Sequence, residues 1–188
     1  MRGVILAAGA GSRLSKHNGH RPKVLLPVAG RAIIDYTLEA FEQVGVTDLA
    51  IIVGYQGDFL TEWVGDGSRH GLRVQYISNP EYQDGNALSL FAARDFTGDD
   101  PFLLSMADHM ISPALLSRLL ELQGSANALA VDFNLSPQHE EEGTRVSVSP
   151  EGFVTHVGKG LSRWNAVDAG AFRLTSAIFD AIAEVMAE

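Results

Sequence analysis

Apolar residues in this chain occur in short unbroken runs that alternate with segments of helical spacing. Residues 4–8 form such a run without polar alternation, which predicts a strand buried on both faces. After a glycine-rich stretch, Ile34, Leu38 and Phe41 recur at helical spacing, and Gly45 stands where a helix C-cap belongs. The first 45 residues therefore predict one strand followed by one helix.

The same alternation continues to about residue 125. Ser112 before Pro113 is a helix start signal, with serine as the N-cap and proline at the first helical position. Alternating strands and helices at this spacing predict an α/β fold with a doubly wound, mostly parallel sheet. The expected strands are 49–53, 72–77 and 102–106, and the expected helices are 59–64, 86–96 and 112–122.

The pattern changes after residue 125, where four strand-like segments follow one another. Ser149, Pro150 and Gly152 form a turn between two of them, which predicts a hairpin. The strands are expected at 128–133, 144–148, 153–157 and 166–174, with a closing helix at 176–187. Because no linker interrupts the chain, residues 1–188 are expected to form one domain with added antiparallel strands.

Composition excludes several classes of function. The formal net charge is −9 and the pI about 5.0, which argues against binding to nucleic acid or to anionic membranes. The chain has no cysteine, so disulfides, thiolate nucleophiles and zinc–thiolate sites are absent, and a cytoplasmic setting is expected. No apolar run reaches the roughly 18 residues that a membrane span requires. Nothing in the sequence indicates an oligomeric state.

Residues 2–26 reverse this acidic balance locally. The first strand ends in a glycine-rich turn, and Arg13, Lys16, Arg21 and Lys23 follow within it. A glycine-rich strand end with clustered cations can hold a triphosphate. The segment lacks the third glycine of a dinucleotide fingerprint and the GK[ST] ending of a P-loop. A loop that is glycine-rich for turn geometry alone is the alternative.

Two aspartates are candidate metal ligands. Asp108 follows a predicted buried strand at the sheet edge where ligands bind in open α/β folds. Asp168 interrupts the apolar run AVDAGAF, where an unpaired carboxylate would cost several kcal/mol. Together they would supply oxygen ligands for Mg²⁺. The alternative for Asp108 is a turn or cap residue before Pro113.

Other polar residues also have two interpretations. Lys159 lies between two glycines and could reach a phosphate, or it could be a solvated hairpin lysine. Asn86 and Ser89 could bind a base edge, or Asn86 could only cap a helix. His109 and His156 show no metal-ligand spacing, so we expect neither to be catalytic.

The order of motifs then identifies a family. LAAGAGSRL followed by RPKVLLPVAGRAIIDYTLEAF resembles the signature of the nucleotidyltransferases that activate sugar phosphates and related phosphomonoesters, the superfamily of MobA-like NTP transferases. NPEYQDGNALSLF, FLLSMADHMIS, EGTRVSVSPEGFVTHVGKG and VDAGAF resemble motifs of its cytidylyltransferase branch. Within that branch the chain is most similar to inositol-1-phosphate cytidylyltransferases, with phosphocholine and aminoethylphosphonate cytidylyltransferases as relatives. The resemblance covers essentially the whole chain.

The resemblance implies a Rossmann-like three-layer sandwich, the nucleotide-diphospho-sugar transferase fold, and roles for matching residues. The implied catalytic residues are Arg13, Lys23 and Lys159. The implied nucleotide-binding residues are Leu6, Ala7, Ala8, Gly9, Gly11, Ser12, Arg13, Lys23, Gly85, Asn86 and Ser89. The implied Mg²⁺ ligands are Asp108 and Asp168, and the implied acceptor-side residues are Lys159 and Glu142.

The implied reaction transfers CMP from CTP to a small phosphomonoester or phosphonate and releases pyrophosphate. Ala107 and Ala169 depart from the family's usual glycine and threonine beside the two aspartates, which bears on acceptor packing. Trp164 could cage a quaternary ammonium group or could serve in packing. The alternatives are transfer of a uridylyl, thymidylyl or guanylyl group, and a non-catalytic nucleotide-sensing domain. Archaeal-type inositol enzymes often carry a membrane-embedded transferase domain as well, so a longer native protein is compatible with the resemblance.

Overall fold

A large mixed sheet organises the chain in its computed structural model, which describes residues 1–9, 22–122, 124, 126–136 and 141–187. The strands are short, and those at 2–7, 48–53 and 102–106 consist mainly of buried apolar residues, as their unbroken runs predict. The described strands are β1 (Arg2–Ala7), β2 (Pro27–Val28), β3 (Arg31–Ala32), β4 (Asp48–Val53), β5 (Arg73–Ser78), β6 (Phe102–Met106), β7 (Ala128–Asp132), β8 (Arg145–Val148), β9 (Val154–Val157) and β10 (Ala166–Leu174).

The order of strands in the main sheet is β5-β4-β1-β6-β10-β8-β9, and β7 also pairs with β10. The first four of these strands are mutually parallel, whereas β10 runs antiparallel to β6, β7 and β8. The antiparallel hairpin of β8 and β9 turns through Ser149–Gly152 as predicted. The predicted mixed, mostly parallel sheet is thereby confirmed.

Helices cover both faces of this sheet. Ser112 caps one of them by accepting a hydrogen bond from the Leu115 amide, with Pro113 at the first helical position, as predicted. The described helices are α1 (Ile33–Gln43), α2 (Gly57–Val64), α3 (Asn86–Phe91), α4 (Arg94–Thr97), α5 (Pro113–Glu121) and α6 (Ala177–Met186). No helix in the described ranges is both long and apolar enough to cross a membrane.

Side-chain alternation along β1 separates two hydrophobic cores. Ile5 packs into a core that includes Phe41 of α1, whereas Val4 and Leu6 point to the other face, where Phe179 of α6 packs. All four positions on β1 and α1 are buried. A central strand with apolar side chains on both faces is typical of three-layer α/β folds, and it explains why the run has no polar alternation.

The structure departs from the predicted elements in two places. The single helix expected at 86–96 is interrupted, because the amide of Ala93 bonds to the Leu90 carbonyl in a tight turn before α4 begins. The small hairpin of β2 and β3 was not predicted. It turns through Ala29 and Gly30, both with positive φ, which suits a two-residue hairpin loop.

Candidate active site

The candidate site lies where the strand order reverses. From β1 the chain continues to β4 and β5 on one side, and later returns to β6 on the other. Ligands of open α/β sheets bind at such a switch point, outside the carboxyl ends of the strands. Ala8 and Gly9 follow β1 there, and Asp108 follows β6. The Ala107 amide still donates to the Leu6 carbonyl at 3.0 Å, so the two strand ends leave the sheet side by side.

The glycine-rich loop falls mainly outside the described residues. Gly11, Ser12 and Arg13 lie in the segment 10–21, so their roles at the phosphates stay predictions. Residues 6–9, also assigned to nucleotide binding, run from the buried end of β1 to an exposed Gly9. The described part therefore places the start of the loop at the switch point.

Lys23 lies at the same edge of the sheet, next to Asp108. It begins a short 3₁₀ helix, Lys23–Leu25, whose Val24 side chain is buried in the core. From this anchor the Lys23 ammonium donates a hydrogen bond to Asp108 Oδ2 at 3.0 Å. One predicted cation and one predicted metal ligand, 85 positions apart in sequence, are thus in direct contact.

His109 occupies the centre of the site, although we did not expect a function for it. Its Nδ1 lies 2.9 Å from Asp108 Oδ1, and its backbone carbonyl accepts a hydrogen bond from the Thr37 hydroxyl of α1 at 2.9 Å. The pKa of Asp108 is held well below its usual range, first by the hydrogen bond with His109 and also by Lys23. The pKa of His109 is raised in turn, chiefly by that hydrogen bond, and the charge of Asp168 adds to the effect.

Asp168 reaches the same edge from an antiparallel strand. Because Ala171 of β10 pairs with Ser105 of β6, the residues that precede Ala171 lie beside the end of β6. Asp168 Oδ1 accepts a hydrogen bond from the Gly170 amide at 2.7 Å. Burial raises the pKa of Asp168, and this effect outweighs the hydrogen bond from Gly170 and the charge of His109, which both lower it.

These two carboxylates fit a divalent cation that is shared with substrate phosphates. No cluster of three or more acidic or histidine ligands occurs in the part of the chain that the structure describes. Mg²⁺ is commonly held by one or two carboxylates, with phosphate oxygens and water completing its shell. The ammonium of Lys23 already occupies a cation position at Asp108 Oδ2, and no cation contacts Asp168 among the described residues. Two carboxylates at one edge of the sheet therefore suit a divalent cation that binds together with a phosphorylated ligand.

Gly170 leaves the space that the His109 ring occupies. Its φ is +73°, and a Cβ built on it would lie 2.7 Å from two ring carbons of His109. Both the backbone conformation and the space thus require glycine. In the sequence, the only sign of this contact is the glycine two positions after Asp168 in VDAGAF. That glycine can be interpreted only when the His109 ring is known to lie against it.

Replacement of Gly170 by alanine is expected to lower the free energy of unfolding by more than its positive φ alone explains. The left-handed conformation costs alanine about 1–2 kcal/mol, and the clash with His109 adds about 1–3 kcal/mol. Urea denaturation measures the sum. Gly152→Ala is the matched control, because Gly152 has a φ of +87° and open space around its Cβ position. Equal losses for the two variants would contradict the contact with His109.

The predicted base-binding segment approaches the end of β1 through a second close contact. A Cβ built on Gly54 would lie 2.8 Å from the Ala8 carbonyl oxygen and 2.9 Å from Tyr82 Cβ. Gly54 thus allows the short helix Tyr82–Asp84, and Gly85 and Asn86 after it, to lie near the switch point. Gly85 and Asn86 are both exposed there.

Ser89 is placed differently from its neighbours in this segment. It is only 3% exposed, and its hydroxyl accepts a hydrogen bond from the Asn79 side chain at 2.9 Å. The side-chain oxygen of Asn79, Oδ1, in turn accepts a hydrogen bond from the Glu81 amide. The buried pair fixes the turn that leads to Tyr82, so in this structure Ser89 supports the segment from inside. Its assignment to the base stays a prediction.

The two residues predicted on the acceptor side, Lys159 and Glu142, are both exposed. Lys159 is exposed between β9 and β10 and has no hydrogen bond or ion pair with any described residue. Glu142 is exposed shortly before β8. The Arg145 guanidinium lies 5.2 Å from the ring centre of Trp164 and donates to the Leu161 carbonyl. One face of Trp164 is therefore already covered, which favours packing over caging of a ligand cation.

Comparison with known proteins places this geometry in a family. Residues 3–159 match the MobA-like NTP transferase domain. The chain is 38% identical over 156 residues to CMP-5'-(3-aminopropyl)phosphonate synthase of Streptomyces rubellomurinus, a match that covers 82% of the chain and 24% of that protein. It is 35% identical over 170 residues to the bifunctional IPC transferase and DIPP synthase of Rubrobacter xylanophilus, covering 90% of the chain and 37% of that protein.

A solved structure shares the fold over most of the chain. The inositol-1-phosphate CTP transferase from T. maritima superposes with a TM-score of 0.82 at 26% identity, over 95% of this chain and 72% of that one. The chain thus spans well under half the length of the two relatives named above and most of the length of this structure. With the strand order and the match over residues 3–159 in agreement, the chain belongs to the family of MobA-like NTP transferase domains.

Proposed function

We propose that this domain transfers CMP from CTP to a small phosphomonoester or phosphonate and releases pyrophosphate. The observation that carries the proposal is the convergence of Lys23, Asp108 and Asp168 at the switch point where the glycine-rich loop begins. Two similar proteins are named for a CMP-linked phosphonate and for inositol 1-phosphate with CTP. Those names support the choice of cytidine and of a phosphate or phosphonate acceptor.

The reaction needs no nucleophile from the protein. An acceptor phosphate or phosphonate oxygen is already negatively charged at neutral pH, and it attacks the α-phosphorus of CTP in line as the bond to pyrophosphate breaks. The chain's task is to align two polyanions and to offset the charge that accumulates between them. A divalent cation at Asp108 and Asp168, which we propose to be Mg²⁺, would neutralise phosphate charge as a Lewis acid.

The side chains divide the remaining work. Lys23 lies at Asp108 and would release it to contact the α-phosphate when nucleotide and cation enter together. Arg13, with Gly11 and Ser12, would hold the β- and γ-phosphates, while Gly85 and Asn86 would contact the pyrimidine. Lys159 would bring positive charge to the acceptor. Its side chain is exposed, so a substrate can reach it.

A pyrophosphate-release assay with Mg²⁺ tests the proposal directly. CTP, UTP, GTP, ATP and dTTP would each be combined with 3-aminopropylphosphonate, 2-aminoethylphosphonate, phosphocholine, inositol 1-phosphate and glucose 1-phosphate. We expect release with CTP and one of the first four acceptors. Release with UTP, dTTP or GTP and glucose 1-phosphate would identify a sugar nucleotidyltransferase instead. Nucleotide binding without release for any acceptor would indicate a sensing domain.

A further inference from the structure

Three contacts fix His109 in one orientation. Thr37, which is fully buried, donates a hydrogen bond to its backbone carbonyl. Gly170 lies directly against its ring, with no room for a side chain between them. Its Nδ1 lies 2.9 Å from Asp108 Oδ1. Backbone, ring plane and ring nitrogen are thus constrained by three different parts of the chain.

This arrangement determines how Asp108 presents its second oxygen. A free carboxylate rotates about its last side-chain bond, because such sp³–sp² torsions have broad wells. With Oδ1 bonded to a fixed ring, Oδ2 is held in one direction. The Lys23 ammonium, 3.0 Å from Oδ2, marks that direction as the one from which a cation approaches.

We propose that His109 is a positioning residue, which donates Nδ1–H to Asp108 Oδ1 and thereby aims Oδ2 at the divalent cation. Gly170 is the residue that leaves space for the ring. The inference rests on the proposed function, because it assumes that Asp108 is a metal ligand. The Nδ1–H donor exists in one neutral tautomer as well as in the imidazolium, so the role does not depend on the charge of the ring. Groups that hydrogen-bond to ligating carboxylates typically contribute about 10- to 100-fold to metal affinity or activity.

Two amide variants separate this role from simple packing. In His109→Asn the amide nitrogen is attached to Cγ, as Nδ1 is in histidine, so a donor remains next to Asp108 Oδ1. In His109→Gln the amide nitrogen lies one bond further along the side chain, so the donor is moved away. His109→Leu removes the donor and keeps an apolar side chain against Gly170. If the leucine variant fails to fold, the comparison of asparagine with glutamine still decides.

The experiment titrates each folded variant with Mn²⁺ in the presence of CTP, because the cation and the nucleotide are proposed to enter together, and measures protein-bound Mn²⁺ by its enhancement of the water proton relaxation rate. We expect His109→Asn to bind Mn²⁺ nearly as wild type does, and His109→Gln and His109→Leu to bind about 10- to 100-fold more weakly. In the pyrophosphate assay, the glutamine variant is expected to need more Mg²⁺ for half-maximal rate and to recover kcat when Mg²⁺ is saturating. A general packing defect would lower kcat at every Mg²⁺ concentration.

The outcomes distinguish this inference from the proposed function. Equal Mn²⁺ affinity in all three variants, or equal weakening by asparagine and glutamine, overturns the role of His109 alone. Absence of saturable Mn²⁺ binding in wild type overturns the metal assignment and the role of His109 with it. If the variants show the expected order of Mn²⁺ affinities but no substrate pair releases pyrophosphate, the positioning role of His109 is supported and the proposed reaction is overturned.

Discussion

Replacement of Asp108 by asparagine is expected to lower pyrophosphate release by at least about 10²-fold, a loss typical for removal of one preorganised electrostatic group at a reacting centre. Asparagine has nearly the same shape, and its carbonyl oxygen can still accept the hydrogen bond from His109. The charge that would hold a divalent cation is lost, however. The rate at saturating CTP, acceptor and Mg²⁺ measures the effect.

The stability of the same variant separates a catalytic loss from a folding defect. The pair of Lys23 and Asp108 is about two fifths exposed on each side, and such pairs contribute about 0–1 kcal/mol. The hydrogen bond from His109 remains but loses its charged acceptor, which costs about 1 kcal/mol more. The free energy of unfolding is therefore expected to fall by no more than about 2 kcal/mol. Asp100→Asn, the same chemical change at an exposed turn before β6, is the matched control and should retain full activity. Near-normal turnover of Asp108→Asn would exclude its carboxylate as a metal ligand.

Replacement of Asp168 by asparagine is expected to abolish activity to a similar degree while leaving the chain as stable or more stable. The Gly170 amide keeps its acceptor, because the asparagine carbonyl can take the place of Oδ1. Burial raises the pKa of Asp168, so its charged form destabilises the folded state at neutral pH. An asparagine removes that cost together with the proposed ligand.

The pH dependence of stability checks the physical cause of this prediction. The folded-state pKa of Asp168 lies above the value of about 3.9 in an unfolded chain, so the contribution of this carboxyl group to stability falls as pH rises from that value through the folded pKa. The asparagine variant lacks this contribution, so its stability relative to wild type should increase over the same range in metal-free buffer. Asp132→Asn is the control. Like Asp168, Asp132 accepts a hydrogen bond from the backbone amide two positions later, that of Asn134, but its side chain is exposed. An Asp168→Asn variant that is less stable than wild type at neutral pH would contradict the conclusion that the charged form of Asp168 destabilises the folded state.

The sequence predicted most of the fold because its signals are local. An unbroken apolar run such as residues 4–8 specifies a central strand, and the pair Ser112 and Pro113 specifies a helix start. The interruption at Ala92 and Ala93 carries no such signal, since alanine is the best helix former. The helix ends there through a local turn of the backbone, which composition does not reveal.

The site was predictable only in part, because its members meet through long-range pairing. Asp108 follows an apolar run and Asp168 interrupts one, and both of these signals are local. The sequence predicts no function for His109, because a single histidine without ligand spacing carries little information. Its meaning comes from Gly170 and Thr37, which lie far from it in sequence and touch it only once β6, β10 and α1 have packed.

The reversed direction of β10 has a consequence for the order in which the site forms. The parallel strands β1, β4 and β6 are all complete by residue 106, so the proposed nucleotide half of the site is encoded in the first part of the chain. Asp168 arrives only after β7, β8 and β9, on a strand that must run back along β6. Contacts between residues so distant in sequence form slowly, because loop closure comes before any gain from pairing. During synthesis or refolding, a nucleotide pocket with a single carboxylate should therefore precede a site that can carry out transfer.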